Sequence, residues 1–151
     1  MSKCIFIFRR DLRLTDNIGL ISALKKYDKV LPIFIYDHKQ IKSAHCSNNF
    51  LEIQEEALAD LDEYLTAKGS RLCRFYGTPY KVIKYLNEEY HPDAVIFNAD
   101  YSYYSVERDS LIEKVCKCEI YHDVTIYHPE FIKSNFHKAY GSFVKAIASG
   151  D

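Results

Sequence analysis

Cys4-Ile-Phe-Ile-Phe8, followed at once by Arg9-Arg-Asp-Leu-Arg-Leu-Thr-Asp-Asn17, decides the fold of this chain. An apolar run with no alternation is a strand covered on both faces, which is the pattern of a parallel sheet. Four charges, Arg9, Arg10, Asp11 and Arg13, come directly after it. Thr15, Asp16 or Asn17 then caps a helix over 16–27. Strand, charged loop and helix in that order make the first half of a parallel crossover unit.

The same alternation continues. A second strand spans Val30 to Tyr36, with Pro32 near its start, where a missing N–H does least harm. The longest helix covers 50–68, with Leu51, Leu58, Leu61 and Leu65 in one stripe, Ala57 and Tyr64 beside it, and Gly69 placed to end it. Strand three runs from Arg71 to Tyr76. Thr78 and Pro79 cap a third helix carrying Val82, Ile83, Leu86 and Tyr90 on one face. Strand four spans Asp93 to Asn98, helix four 103–117 and strand five lies within 118–127. A short closing helix is expected over 137–148. Strands separated by helices of this length imply right-handed crossovers and a parallel sheet. No repeat and no Pro-, Gly- or Ser-rich linker interrupts the pattern, so residues 1–151 read as one α/β domain.

Bulk properties exclude several classes. Twenty Lys and Arg against 21 Asp and Glu give a formal charge of −1, so no global field steers the domain toward nucleic acid or membrane. No apolar run approaches the ~20 residues that span a bilayer, and the N-terminus lacks the pattern of a secretion signal. The cysteines, Cys4, Cys46, Cys73, Cys116 and Cys118, are odd in number and contain no Cys-x-x-Cys pair. They read as free thiols in a reducing, intracellular compartment, cytoplasmic or nuclear. No metal site is expected.

In an open parallel sheet, ligands bind beyond the carboxyl ends of the strands. That rule selects Arg9 and Arg10 after strand one, Asp37, His38 and His45 after strand two, and Asn98, Asp100 and Tyr101 after strand four as candidate binding residues. Tyr103, Tyr104 and His128 lie nearby. Asp11 can knit the first loop together with Arg9 or Arg13, and a rigid loop brace accounts for Asp11, Arg13 and Asp16 without any ligand. The five glycines do not cluster. There is therefore no dinucleotide fingerprint, no Walker loop and no nucleophile elbow. No catalytic residue is assigned.

The stretch Phe8-Arg-Arg-Asp-Leu-Arg-Leu-Thr-Asp-Asn17 resembles the opening of the photolyase/cryptochrome family. Val30-Leu-Pro-Ile-Phe-Ile-Tyr36 resembles that family's second strand, and Asn49-Phe-Leu through Leu65-x-x-x-Gly69 its second helix. Asn98-Ala-Asp-Tyr and Glu107-Arg-Asp109 resemble its fourth-strand loop and the helix after it, and Tyr140-Gly-Ser-Phe-Val-Lys145 the end of its N-terminal domain. Ile7 stands where the family has Trp, the chain has no Trp, and Gly141-Ser142 replaces a Thr-Pro.

With the alternation, the resemblance implies a Rossmann-like three-layer α/β/α domain whose five parallel strands run 3-2-1-4-5. It also implies an antenna or docking module related to light-driven DNA repair, which holds a flavin, deazaflavin or folate chromophore. The catalytic FAD site belongs to the family's helical domain, which the resemblance places beyond this chain. Neither dimer repair nor direct nucleic-acid binding by these residues alone is expected. A separate flavin-domain chain or a second copy would cover the exposed tyrosine-rich face. His45 falls near a histidine that contacts folate in some members, but Tyr104 and Ser105 replace their Asn-Glu pair, which favours a flavin or deazaflavin. A small-molecule or nucleotide binder on the same scaffold, or a self-associating structural remnant, are the other readings.

Overall fold

The computed structural model describes residues 1–43 and 47–123. The strands are β1 (Lys3–Phe8), β2 (Lys29–Tyr36), β3 (Cys73–Tyr76), β4 (Ala94–Asn98) and β5 (Cys118–Tyr121). The helices are α1 (Ile18–Lys26), α2 (His38–Ile41), α3 (Asn48–Ala67), α4 (Pro79–Tyr90) and α5 (Tyr103–Glu113). All four strand pairings are parallel, and the order is β3-β2-β1-β4-β5. His45, His128, the segment 137–148 and the Tyr140–Lys145 motif lie outside the described residues.

β1 is central because it can be buried on both faces. Its side chains alternate between two cores. Cys4, Phe6 and Phe8 face α1 and α3, where Leu20, Ala23, Leu58, Leu61 and Leu65 close over them. Ile5 and Ile7 face α4 and α5, meeting Ile83, Leu86 and Ile112. Each large side chain removed from water this way contributes roughly 1.5–3 kcal/mol. Tyr64 does not join the α3 stripe; it is 65% exposed. β3 begins pairing with β2 only at Ile33, so Pro32 lies where β2 has one neighbour, β1.

The caps account for most differences from the sequence reading. Thr15 and Asp16 are not helical, because Asn17 is the cap: its side chain accepts from the Leu20 amide at 3.1 Å. β3 starts at Cys73 because the Leu72 amide is held by Asp62 at 2.6 Å. α2 was not expected. Asp37 creates it by accepting from the Lys39 amide at 2.9 Å. Gly69, at φ +77°, ends α3 as expected, with the Ser70 amide reaching back to the Leu65 carbonyl.

Candidate functional site

The β1 loop is organised by buried polar side chains. Asp11 does not pair with the Arg9 or Arg13 guanidinium. It accepts from the Arg9 amide at 2.9 Å, from Asn17 Nδ2 at 3.2 Å and from Asn98 Nδ2 at 2.5 Å. Asn98 also donates to Asn17 Oδ1 at 2.8 Å and accepts from the Gly19 amide at 3.1 Å. One side chain at the end of β4 therefore ties the β1 loop to the first turn of α1. Arg13 pairs with Asp16 at 2.6 Å and with Asp123 at 2.5 Å. Asp16 adopts φ +54°, a left-handed conformation that Asp tolerates better than most residues.

Arg9 turns the other way. Its Nη1 donates to Asp109 Oδ2 at 2.9 Å, and its Nη2 lies 2.7 Å from Oδ1, off the line of a good hydrogen bond. Its guanidinium lies 4.0 Å from the centre of the Phe97 ring. Arg108 Nε shares the same carboxylate at 2.9 Å. Burial, followed by the Arg108 charge, lowers the Arg9 pKa to about 10 against the opposing pull of Asp109. Arg9 is thus a buried cation held by one carboxylate that also serves a second guanidinium.

Between these elements lies a cleft of about 280 Å³ beyond the carboxyl ends of β1 and β2. Ile7, Phe8, Phe34, Ile35 and Ile112 form its apolar surface, and Phe50 of α3 stands at its edge, 53% exposed. Arg9, Arg10, Asp37, Asp100 and Arg108 supply its charge, and Gln40, Ser43 and Gln54 its neutral polar groups. Arg10 reaches Asp100 at 3.5 Å but is 77% exposed. Burial pushes the Asp100 carboxyl up; the Ser102 amide, the Ser105 hydroxyl and the charges of Arg10 and Arg108 outweigh it, so its pKa is lowered. Two further polar atoms are buried without a hydrogen-bond partner: Asp37 Oδ2 and Arg108 Nη2.

Of the eight residues selected from sequence, four line this cleft: Arg9, Arg10, Asp37 and Asp100. Asn98 lines an adjoining cavity of similar size with Asp11, Arg13 and Asp123, and its polar atoms are engaged in the loop network. His38 packs edge-on against Tyr76, with ring centres 4.2 Å apart. Tyr101 stacks on His122 at 5.9 Å and shares a 2.7 Å hydrogen bond with it. His45 is outside the described residues. Sequence reasoning missed Arg108, Gln40, Gln54 and Phe50 as site residues. Arg108 sits one helical turn after Tyr104, a spacing that places both on one side of α5; Gln40 and Gln54 carried no comparable signal. Among the described residues no cluster of His, Cys, Asp and Glu can hold a metal, and no helix is long and apolar enough to cross a membrane.

A parallel sheet in this order, with a partly charged, partly apolar cleft past its carboxyl edge, defines a Rossmann-like α/β domain. The comparisons narrow that class. The DNA photolyase family model matches residues 4–149, and the chain belongs to that family. It is 30% identical to a deoxyribodipyrimidine photo-lyase of Synechococcus over 93% of its length, and 32% identical to Cryptochrome-1 of Anopheles gambiae over 75%. It spans 31% and 22% of those proteins. An archaeal photolyase from Sulfolobus tokodaii superposes with a TM-score of 0.85 at 37% identity, covering 95% of this chain and 35% of that one. That structure is described as holding two FAD molecules, with the implication of a novel light-harvesting cofactor. A Synechocystis cryptochrome shares the fold at the same TM-score and 20% identity, covering 96% of this chain and 34% of that one. The matched region is the N-terminal α/β domain of photolyases.

Proposed function

We propose that this domain binds a planar chromophore of the flavin or deazaflavin type in the cleft beyond β1 and β2, as the antenna or docking module of a photolyase/cryptochrome system. The supporting observation is the pairing of an aromatic, apolar wall with buried polar groups of opposite kind. Arg108 offers an unpaired donor and Asp37 an unpaired acceptor. Orphaned buried groups cost about 1–3 kcal/mol each, and the edge of a flavin ring carries the N–H and carbonyl groups that can partner them. The cleft volume of about 280 Å³ is just below the roughly 300–1,000 Å³ usual for ligand pockets, which suits a ring system with its sugar or phosphate tail outside. The Sulfolobus neighbour with two FAD molecules agrees with this ligand class.

The test is a fluorescence titration of the purified chain with riboflavin, flavin mononucleotide and a reduced folate. Riboflavin and flavin mononucleotide are expected to bind alike, and the folate more weakly. Asp37→Asn keeps the cap on α2 but turns a free acceptor into a donor. It should weaken flavin binding about tenfold, or ~1.4 kcal/mol. Equal flavin affinity in wild type, Asp37→Asn and Phe50→Ala would show that the ring lies elsewhere. Binding that requires the phosphate tail would overturn the ring-only cleft.

A further inference from the structure

Cys116 and Cys118 bracket Lys117 where the turn after α5 enters β5. Their sulfurs are 3.7 Å apart. Cys116 Sγ donates to the Ile112 carbonyl at 3.5 Å, and Cys118 Sγ lies 3.7 Å from the Cys116 carbonyl. Both residues are half-buried, as Cys73 is, whereas Cys4 is fully buried. Among the described residues no other two cysteines approach each other: Cys73 is on β3, at the opposite edge of the sheet, and Cys4 faces the other core. A disulfide needs its sulfurs about 2.05 Å apart, so the pair stands less than 2 Å from bonding distance. The loop so closed is only three residues long, and such a short loop adds little stability by restricting the unfolded chain. The pair is therefore ill-suited to be a structural staple and well-suited to exchange chemistry.

We infer that Cys116 and Cys118 form a thiol–disulfide exchange site that reacts with low-molecular-weight disulfides such as oxidised glutathione. The Cys116 thiolate attacks one sulfur of the small disulfide. That S–S bond breaks, and the departing thiolate takes up a proton. Cys118 then gives up its proton and attacks Cys116 Sγ, forming the internal S–S bond and expelling the second small thiolate, which takes that proton. The protein loses two electrons and two protons, and one small disulfide becomes two thiols. The contact between the two sulfurs favours Cys116 as the attacking thiol. The Cys118 hydrogen bond lowers the Cys116 pKa against the effect of burial. That same bond, then burial and the Cys116 and Glu113 charges, raise the Cys118 pKa strongly.

The experiment uses the whole chain, incubated with excess oxidised glutathione, alkylated and digested with trypsin. Cleavage after Lys117 separates the two cysteines, so an internal disulfide appears as two tryptic peptides joined to each other. Wild type should give that linked pair from monomeric protein, with little glutathione adduct. Cys118→Ser should accumulate a stable glutathione adduct on Cys116, and Cys116→Ser should accumulate one on Cys118. The inference falls if wild type accumulates the same adduct as Cys118→Ser. It also falls if Cys73 is modified first while 116 and 118 stay reduced. The wild-type peptide pattern decides the matter even where a variant folds poorly.

Discussion

Replacing Asn98 tests whether the β1 loop is held from the end of β4. Asn98 is 4% exposed, and it is the group that donates to Asp11 and Asn17 and accepts from Gly19. In Asn98→Leu the Gly19 amide, one of the first-turn donors with no partner inside its helix, is orphaned at a cost of about 1–3 kcal/mol. Asp11 loses a hydrogen bond to a buried carboxylate, about 1.5–3 kcal/mol more. Asn17 keeps its capping bond and Asp11 keeps its bonds from Arg9 and Asn17. The expected loss is therefore about 3–5 kcal/mol, a large part of the 5–15 kcal/mol typical of a domain. Asn98→Asp is isosteric but sets a second carboxylate 2.5 Å from the first. Sharing a proton relieves that repulsion, so its deficit should shrink from pH 7 to pH 5. Urea unfolding followed by circular dichroism reads both as a lowered midpoint at unchanged slope. A loss under about 1 kcal/mol for Asn98→Leu, or wild-type stability for Asn98→Asp at pH 7, would refute the network as described.

Gly19→Ala places a methyl group 2.5 Å from Asn98 Oδ1 and 3.1 Å from Phe6, so thermal melts should show a net loss of about 1–3 kcal/mol despite alanine's better helix propensity. Asp109→Asn leaves the buried Arg9 and Arg108 guanidiniums without their shared carboxylate; denaturant titration should show about 3–5 kcal/mol lost, and a change within 0.5 kcal/mol would mean the pair is not buried in solution. Burial raises the Glu119 pKa, but hydrogen bonds from Lys26 and Tyr27 bring it below the ordinary 4.5. Its contribution is thus full above pH 4.5 and disappears as the pH falls through its lower folded value. Glu119→Gln should be less stable than wild type at pH 7, with the difference closing in acid; a constant difference down to pH 3 would contradict this.

The parallel strands were legible because β1, β2 and β4 are continuous apolar runs and the helices between them carry clean stripes; their order was legible only with the family resemblance added. Element ends were less legible, since side chains distant in sequence fix them, as Asp62 fixes the start of β3. α2 escaped notice because one turn has no periodicity; only the Asp37 cap marks it. In the site, strand-end position identified Arg9, Arg10, Asp37 and Asp100, all of which line the cleft. The same rule could not separate Asn98, whose polar atoms are consumed inside the loop network, from a residue free to meet a ligand. Arg108 was missed because it enters from a helix on the opposite face. Its place depends on Asp109 pairing with Arg9, one hundred residues away.

The Asn98 network gives the cleft walls of unequal constraint. On the β1 side, a substitution must satisfy three buried partners at once, so sequence change there is filtered by folding before any ligand is involved. The wall built from α2 and the start of α3 is held by single caps, Asp37 and Ser47, and presents Gln40, Phe50 and Gln54. Those positions can vary at small cost to the fold. Sequence change should therefore concentrate at Gln40, Phe50 and Gln54, while the loop from Arg9 to Asn17 stays nearly fixed.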